Sequence, residues 1–562
     1  MSGGEEALGD ANSQPAELER LTPAFRPGQV EKRPPCQEGC PISGDVRGWI
    51  GTVAQRGKLG LSRDEAYARA WRMITNVNPF PSVLGRICPH PCETSCNRAA
   101  LDEPVSINAM ERFLGDWAIS HRLPLVRLED DAKPEWVGVI GAGPSGLSFA
   151  FQMARRGYRT TVYEQREHAG GMLRYGIPNY RLPPGILDAE IQRIRDLGVE
   201  LRLETTVGRD VTLAELQCRH EVLYLGIGAQ RGRELGIPGE DDPAIWKGTD
   251  YLFRVNRGDP VDVGRSVAVI GGGNTAVDAA RTARRAEADV VILYRRSRDE
   301  MPAIDTEVDE ALEEGVRILF LAAPARLERR EAGLLALTAQ RMRLDEPDAS
   351  GRRRPVPIPD SRFEIPVDTT IAAVSQEPRW EGLEGLREGG RLSADESGRA
   401  ADGLWAGGDV LEPGIAGIAV SHGRRAAEAL HARLRGLPAP AADGRPRAGS
   451  EGILLDFHQE TPRARSLRLP AGEGLRQPDA EVCLGITEEQ FMEEVSRCFS
   501  CGSCLGCEQC WMYCTPLCFT RLDEVAPGAY FSLSLDRCVE CGKCVEVCPC
   551  GFLEVTQLVT TR

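Results

Sequence analysis

The sequence predicts an α/β protein with two doubly wound, mainly parallel sheets in its middle and cysteine-rich segments at its ends. Residues 136–435 alternate short apolar runs with helical stretches, a pattern typical of parallel sheets covered by helices. Two glycine-rich turns interrupt this region. Of the 19 cysteines, only Cys218 lies between Cys96 and Cys483. A chain of 562 residues also exceeds one core, since domains hold roughly 100–200 residues.

Charge and composition exclude two classes of partner. The net charge of −15 argues against nucleic acid, which requires a basic face. The uncharged run 137–154 has the length of a membrane span, but its centre, GAGPSG, is better explained as a turn between strand and helix. The amino terminus lacks the features of a secretory signal. We expect a cytoplasmic protein with no membrane span.

The first glycine turn carries the signature of a dinucleotide site. Gly141, Gly143 and Gly146 follow a strand and open a helix, so a pyrophosphate can approach the backbone at the positive helix end. Glu164 ends the next strand, about 20 residues on, where an acid can hold a ribose 2′-hydroxyl.

The second glycine turn repeats this arrangement with a different charge. Gly271 and Gly273 again follow an apolar strand, and Ala276 is an accepted third small residue. The next strand ends in Arg295 and Arg296, which could pair with a 2′-phosphate. This favours NADP over NAD, with a solvated basic turn as the alternative.

Two dinucleotide turns in one chain imply FAD together with a nicotinamide dinucleotide. The site that ends in an acid is then the FAD site. Asp409 ends a later strand, GLWAGGD, and can hold a flavin sugar hydroxyl. Because Asp409 follows the second turn, the NADP-binding domain is expected to be inserted in the FAD-binding domain.

The carboxy-terminal cysteines predict two iron-sulfur clusters. Two successive runs share the spacing Cys-x2-Cys-x2-Cys-x3-Cys, and in bacterial ferredoxins the fourth cysteine of each run binds the other cluster. Zinc sites lack this interleaved double run. The predicted [4Fe-4S] ligand sets are Cys504, Cys507, Cys510 with Cys548, and Cys538, Cys541, Cys544 with Cys514. Cys498, Cys501, Cys518 and Cys550 stay unassigned.

Together these motifs resemble the small subunit of glutamate synthase, the NADPH:ferredoxin oxidoreductase subunits and the flavin half of dihydropyrimidine dehydrogenase. The resemblance rests on GGMLRYGIP (170–178), LGIPGE (235–240), GGGNT (271–275), YRRSR (294–298), MP (301–302) and AGGD (406–409). It implies that Gly171 belongs to the FAD site and that Asn274 and Thr275 belong to the NADP site. Residues 373–376 and 413–417 depart from the family pattern.

The resemblance also implies an amino-terminal iron-sulfur domain. The family holds two [4Fe-4S] clusters in this region, and the one ligand set that this chain can still complete maps to Cys40, Cys88, Cys92 and Glu111. The family has a further CxxC upstream of Cys36, which this chain lacks, so one amino-terminal cluster is expected. Cys36 and Cys96 would then be remnants of a lost cluster or substitute ligands.

The expected domains follow from these assignments. They are an amino-terminal arm (1–34), a helical iron-sulfur domain (35–135), a FAD-binding domain (136–232 and 365–436), an inserted NAD(P)-binding domain (233–364), a linker or connector (437–497) and a ferredoxin-like domain with two [4Fe-4S] clusters (498–562).

The cofactors predict an electron-transfer oxidoreductase. Nicotinamide carries a hydride, clusters carry single electrons, and a flavin exchanges either, so no acid–base residue is expected. The resemblance implies a ferredoxin or a ferredoxin-dependent enzyme as partner, with a 2-oxoacid:ferredoxin oxidoreductase as the suspected type. A glutamate synthase small subunit and a non-catalytic redox sensor or scaffold are the alternatives. A disulfide reductase is disfavoured because neither dinucleotide domain contains a CxxC.

Overall fold

The structure is a computed structural model that describes residues 24–330, 335–348, 351–387, 392–441 and 443–558. The chain divides into two compact units. The larger unit comprises residues 33–444 and 460–498, and the smaller comprises residues 1–32, 445–459 and 499–562. The first 23 residues of the expected arm lie outside the described ranges. No helix in the described ranges is long and apolar enough to cross a membrane.

The first sheet of the larger unit has six strands. In spatial order they are Arg399–Ala401, Leu404–Ala406, Val222–Leu225, Trp136–Ile140, Arg159–Tyr163 and Glu200–Arg202. All neighbours are parallel except the first pair. The associated helices are Pro144–Ala154, Met172–Tyr175, Pro184–Asp196, Leu213–Arg219 and Ala416–Arg435. The uncharged run 137–154 is therefore a buried strand, a turn and a helix.

The second sheet has five parallel strands. In spatial order they are Arg317–Phe320, Asp289–Tyr294, Ser266–Ile270, Thr369–Ala372 and Ile245–Lys247. The associated helices are Gly248–Asn256, Asn274–Arg285 and Asp305–Glu313. An antiparallel sheet of Ala322–Arg329, Leu335–Pro347 and Arg353–Val367 follows in sequence. Since these strands lie between strands of the first sheet, the inserted arrangement predicted from Asp409 is confirmed.

The remainder of the larger unit is helical. Its helices are Pro35–Gly39, Val46–Ala54, Arg63–Thr75, Pro81–Ile87, Pro91–Thr94, Ile107–Ser120, Ala471–Arg476 and Glu488–Arg497. Two short strands, Leu467–Arg468 and Cys483–Gly485, pair antiparallel. Helix Arg63–Thr75 begins with a capping box between Ser62 and Glu65, which satisfies amide groups that have no partner within the helix.

The last part of the expected connector forms a helix that packs within the helical part of the larger unit. Glu488–Arg497 begins with a capping box at Thr487. Its Phe491 is buried and stacks on Phe113, with ring centroids 4.4 Å apart. Tyr67 meets the Phe491 ring edge-on at 5.3 Å. Composition reveals the Pro- and Gly-rich stretch before this helix, but the aromatic packing depends on residues far away in sequence.

The smaller unit is built from two strand pairs and short helices. Ala24–Gln29 pairs antiparallel with Leu553–Leu558, so part of the expected arm adds a strand to the end of the chain. Phe519–Ala526 pairs with Ala529–Leu533. The helices are Gln509–Tyr513 and Lys543–Glu546. Phe519, Phe531 and Leu553 form a small core together with several of the cysteines.

A buried ion-pair network connects the two dinucleotide-binding regions of the larger unit. Arg181 follows the GGMLRYGIP segment and donates from Nη1 to both carboxylate oxygens of Asp278 at 2.8 Å. Asp278 lies on the helix Asn274–Arg285, which follows the second glycine turn. Arg181 also pairs with Glu307 at 3.0 Å. Arg181 and Asp278 are both buried, so water cannot replace either partner.

Replacing Arg181 by methionine leaves two carboxylates without this cation. Loss of one partner of a buried pair costs about 3–5 kcal/mol. We expect Arg181→Met to lower the urea midpoint of unfolding, measured by far-UV circular dichroism. The control is Arg209→Met, which removes an exposed pair with Asp210 and should change stability by less than about 1 kcal/mol. Equal midpoints for the two variants would contradict a role for the buried pair.

Candidate functional site

Two glycines of the first turn, Gly143 and Gly146, are required for different structural reasons. A Cβ at Gly146 would lie 2.0 Å from the carbonyl oxygen of Gly141, so this position must be glycine for the helix to approach the turn. Gly143 precedes the first residue of the helix Pro144–Ala154, and a Cβ there would have its nearest protein atom at 4.0 Å. Gly143 therefore leaves open the space that a pyrophosphate would fill.

Glu164 is fixed against this turn. Its Oε2 accepts a hydrogen bond from the backbone N–H of Ala142 at 2.9 Å, and its Oε1 accepts one from Arg166 at 2.9 Å. Burial raises the pKa of Glu164 above its ordinary value, while these hydrogen bonds act in the opposite direction. The carboxylate is thus held at the edge of the turn, as expected for an acid that binds a ribose.

One cavity of about 310 Å³ collects most of the predicted FAD residues. Its lining includes Gly141, Gly143, Glu164, Gly171 and Asp409, whereas Gly146 does not line it. The Asp409 Oδ1 accepts a hydrogen bond from the Gly414 N–H at 3.2 Å, and burial raises the pKa of Asp409 to about 6. Gly414 belongs to the stretch 413–417 that departs from the family pattern, yet it lines the cavity.

A second cavity, of about 760 Å³, collects the predicted NADP residues. Its lining includes Gly271, Gly273, Asn274, Thr275, Arg295 and Arg296. A Cβ at Gly273 would have no protein atom within 4 Å, so this turn also leaves space for a ligand. Each glycine turn thus borders one of the two cavities.

The two cavities share part of their lining. Asn274, Thr275, Gln376, Asp409 and Gly414 border both. Gln376 donates from Nε2 to Thr275 Oγ1 at 3.3 Å, which links the second glycine turn to the strand Gln376–Glu377. The sequence marked this stretch only as a departure from the family, and its place in the site depends on tertiary folding.

The two arginines of the second site differ in environment. Arg295 is exposed at the cavity edge. Arg296 is buried, donates from Nε to the Arg353 carbonyl at 2.8 Å and pairs with Asp348 at 2.5 Å. Arg352 also lines the cavity and was missed, because it lies on a distant loop. Arg295 is therefore better placed than Arg296 to meet a 2′-phosphate.

The amino-terminal ligand set lies around a small cavity between helices. Cys40, Cys88, Cys92 and Glu111 all line it, whereas Cys36 and Cys96 do not. Asn78 donates from Nδ2 to Glu111 Oε1 at 2.7 Å. Burial raises the pKa of Cys88 to about 12 and that of Glu111 to about 7. Iron would supply the positive charge that such buried anions require, so these donors fit a [4Fe-4S] cluster.

Members of each predicted carboxy-terminal ligand set lie near one another. Burial and the neighbouring Cys504, Cys507 and Cys548 thiolates raise the pKa of Cys510 to about 12. In the second set, burial and the charges of Cys514 and Cys541 raise the pKa of Cys544 to about 11. Each group draws its members from both runs, as interleaved ligation requires.

Two of the unassigned cysteines adjoin these sets. The backbone N–H of Cys518 donates to Cys514 Sγ at 3.3 Å, and burial together with the neighbouring Cys514 and Cys538 thiols raises the pKa of Cys518 to about 12. Cys550 Sγ lies 3.8 Å from Cys548 Sγ. Within the described ranges, no group of three or more histidine, cysteine, aspartate or glutamate side chains could hold a single metal ion. A four-iron cluster instead takes each thiolate at a different iron.

Three family models match the chain. The pyridine nucleotide-disulphide oxidoreductase model matches residues 136–426. The model for dihydropyrimidine dehydrogenase domain II, 4Fe-4S cluster, matches residues 16–123, and the 4Fe-4S binding domain model matches residues 532–554. These matches confirm the predicted fold class, its oxidoreductase core and the [4Fe-4S] domains at both ends.

Curated relatives confirm the resemblance inferred from the motifs. The NADP(+)-dependent formate dehydrogenase subunit beta of Moorella thermoacetica is 38% identical over 71% of this chain and 60% of its own length. The NADPH-Fe(3+) oxidoreductase subunit beta of Geobacter sulfurreducens is 32% identical over 83% of this chain and 75% of its own. The glutamate synthase [NADPH] small chain of Azospirillum brasilense is 33% identical over 71% of this chain and 86% of its own length. The chain thus spans 60% of the first of these relatives, and it belongs to the pyridine nucleotide-disulphide oxidoreductase family.

Proposed function

We propose that the protein is an electron-transfer subunit that accepts a hydride from NADPH and delivers single electrons through iron-sulfur clusters to a ferredoxin or a ferredoxin-dependent enzyme. The observation that carries this proposal is the shared lining of the two dinucleotide cavities. A nicotinamide ring and a flavin ring that enter from opposite sides would meet beside Thr275 and Gln376. FAD would supply the conversion between hydride and single-electron chemistry.

The residues of the chain would bind and orient the two dinucleotides. The glycine turns would present backbone N–H groups to each pyrophosphate at a helix amino terminus. Glu164 would accept a hydrogen bond from a ribose hydroxyl, and Asp409 would accept one from a hydroxyl of the flavin sugar chain. Arg295 would contact the 2′-phosphate. The buried Arg181–Asp278 pair would hold the second turn in place against the FAD-binding region.

The nature of the partner is proposed from the relatives and the end domains. Two of the relatives described above are beta subunits, one of a formate dehydrogenase and one of an iron(III) reductase, and both are named for NADP(H). The ferredoxin-like domain would give electrons an exit that is separate from the amino-terminal cluster. A 2-oxoacid:ferredoxin oxidoreductase, the type suspected from the resemblance, would be one such ferredoxin-dependent enzyme.

An anaerobic assay with cluster-reconstituted protein tests the proposed activity. NADPH should reduce added ferredoxin, and NADH should support a much lower rate at the same concentration. Protein that has lost its flavin serves as the control and should transfer no electrons. Bleaching of the flavin by NADPH without any reduction of ferredoxin would contradict ferredoxin as the acceptor.

Two alanine substitutions, Gly143→Ala and Gly273→Ala, test the FAD site and the NADPH site independently of each other. Gly143 and Gly273 have φ values of −79° and −92°, which alanine adopts easily, and a methyl group at either position would meet no close protein atom. We expect Gly143→Ala to purify with little FAD, because the methyl group occupies pyrophosphate space. Gly273→Ala should keep FAD and bind NADPH at least about tenfold more weakly, or about 1.4 kcal/mol.

Each glycine variant controls for the other, since both should retain the far-UV circular dichroism of the unchanged protein. FAD content is read from the absorbance of released flavin, and NADPH affinity from fluorescence titration. Full FAD occupancy in Gly143→Ala would show that this turn is not the FAD pyrophosphate site.

Arg295→Ala tests the preference for NADPH. A charge-assisted bond is worth about 1.5–3 kcal/mol, so the NADPH dissociation constant should rise about 10- to 100-fold. NADH lacks the 2′-phosphate, and its dissociation constant should change little. Arg298→Ala is the matched control, because Arg298 lies in the same loop but pairs with Asp305 at 2.8 Å. Equal weakening of NADPH and NADH by Arg295→Ala would remove this arginine from phosphate recognition.

The pKa of Asp409 predicts how FAD affinity depends on pH. Burial raises this pKa to about 6 without FAD, and a flavin hydroxyl donates more strongly to the ionised carboxylate. FAD affinity should therefore rise as pH increases from 5 to 8. In Asp409→Asn this dependence should be much flatter. The check is the FAD dissociation constant of both proteins at each pH, and parallel pH profiles would assign the dependence to another group.

A further inference from the structure

The helical part of the larger unit contains three cysteines that the amino-terminal cluster site does not use. Cys36, Cys96 and Cys498 come from three separate segments of the chain. All three pack against the same core of Trp49, Tyr67 and Phe491. None of them lines the cavity formed by Cys40, Cys88, Cys92 and Glu111.

The segments that carry Cys36 and Cys96 contact each other. Cys36 is the second residue of the helix Pro35–Gly39. At the end of this helix, a Cβ added to Gly39 would lie 2.9 Å from the Pro91 carbonyl oxygen and 2.8 Å from Ser95 Oγ. The helix that carries Cys36 therefore packs against the residues immediately before Cys96.

A buried hydrogen bond brings the segment of Cys498 to the same place. Arg98 donates from Nη1 to the carbonyl oxygen of Arg497 at 3.0 Å. This bond joins the residue immediately before Cys498 to a residue two positions after Cys96.

The surroundings of Arg497 fix this arrangement. Arg497 is almost fully buried and pairs with Asp102 at 2.9 Å and with Glu494 at 3.0 Å. It also donates to the Glu103 carbonyl at 2.7 Å. Since Asp102 pairs in turn with Arg98, ion pairs connect the end of the helix Glu488–Arg497 to the loop that follows Cys96.

We propose that Cys36, Cys96 and Cys498 are three ligands of a further [4Fe-4S] cluster in the helical part of the chain. Cysteine thiolates are the usual donors of such clusters, and the segments that carry these three cysteines contact one another. In sequence, Cys498 is also the first cysteine of a Cys-x2-Cys pair, a spacing found in iron-sulfur runs. The proposal replaces the expectation of one amino-terminal cluster with two, and it does not depend on NADPH oxidation.

Iron analysis of cysteine variants tests this cluster. In anaerobically reconstituted full-length protein, Cys36→Ser, Cys96→Ser and Cys498→Ser should each lose about four iron atoms and four sulfides per chain. Cys218→Ser is the matched control, because this exposed thiol lies outside the cysteine groups and its loss should leave the iron content unchanged. Unchanged FAD content and circular dichroism confirm that each variant is folded.

A double variant distinguishes a separate cluster from shared ligands. Cys40→Ser combined with Cys96→Ser should lose about eight iron atoms, whereas a loss of only about four would mean that both thiols serve one cluster and would overturn the proposal. Should these variants fail to fold, total iron in the unchanged protein decides the question. Four clusters correspond to about 16 iron atoms per chain, and about 12 would contradict the proposal.

Discussion

Backbone contacts that exclude any side chain determine where both glycine turns lie. A Cβ at Gly141 would come within 2.5 Å of the Gly226 carbonyl oxygen, and one at Gly271 within 2.3 Å of the Ala373 carbonyl oxygen. Each turn is therefore pressed against the strand beside it, at the carboxyl edge of a parallel sheet. This contact points the amino terminus of the following helix at the cavity, and it gives the backbone N–H groups access to a pyrophosphate.

The meeting of the two cavities depends on how the inserted sheet is held. The insertion enters and leaves close to the site, so Gln376 and Asp409 follow it in sequence and lie at its boundary. The buried pair of Arg181 and Asp278 adds a link between the two dinucleotide-binding regions. Such a pair contributes positional specificity more than net stability, because desolvation offsets much of its attraction. The geometry proposed for hydride transfer would depend on this link.

The sequence predicts those features that arise from local spacing. Both glycine turns, the acid at Glu164 and the two interleaved cysteine sets follow from the geometry of strand, turn and helix or from ligand spacing. Gln376 and Arg352 were not predicted from the sequence, because they lie in segments that are separate from both glycine turns. The helix Glu488–Arg497 was not predicted either, because its apolar face packs against aromatic residues more than 370 positions earlier in the sequence.

The central claim is that the two dinucleotides meet at the boundary lined by Thr275 and Gln376. An experimental structure of the protein with bound FAD and NADP+ tests this claim most directly. We expect the nicotinamide ring to lie in contact with the flavin ring beside these two residues, with the 2′-phosphate near Arg295. A nicotinamide ring held away from the flavin, or a dinucleotide bound outside the cavity of Gly273, would contradict it.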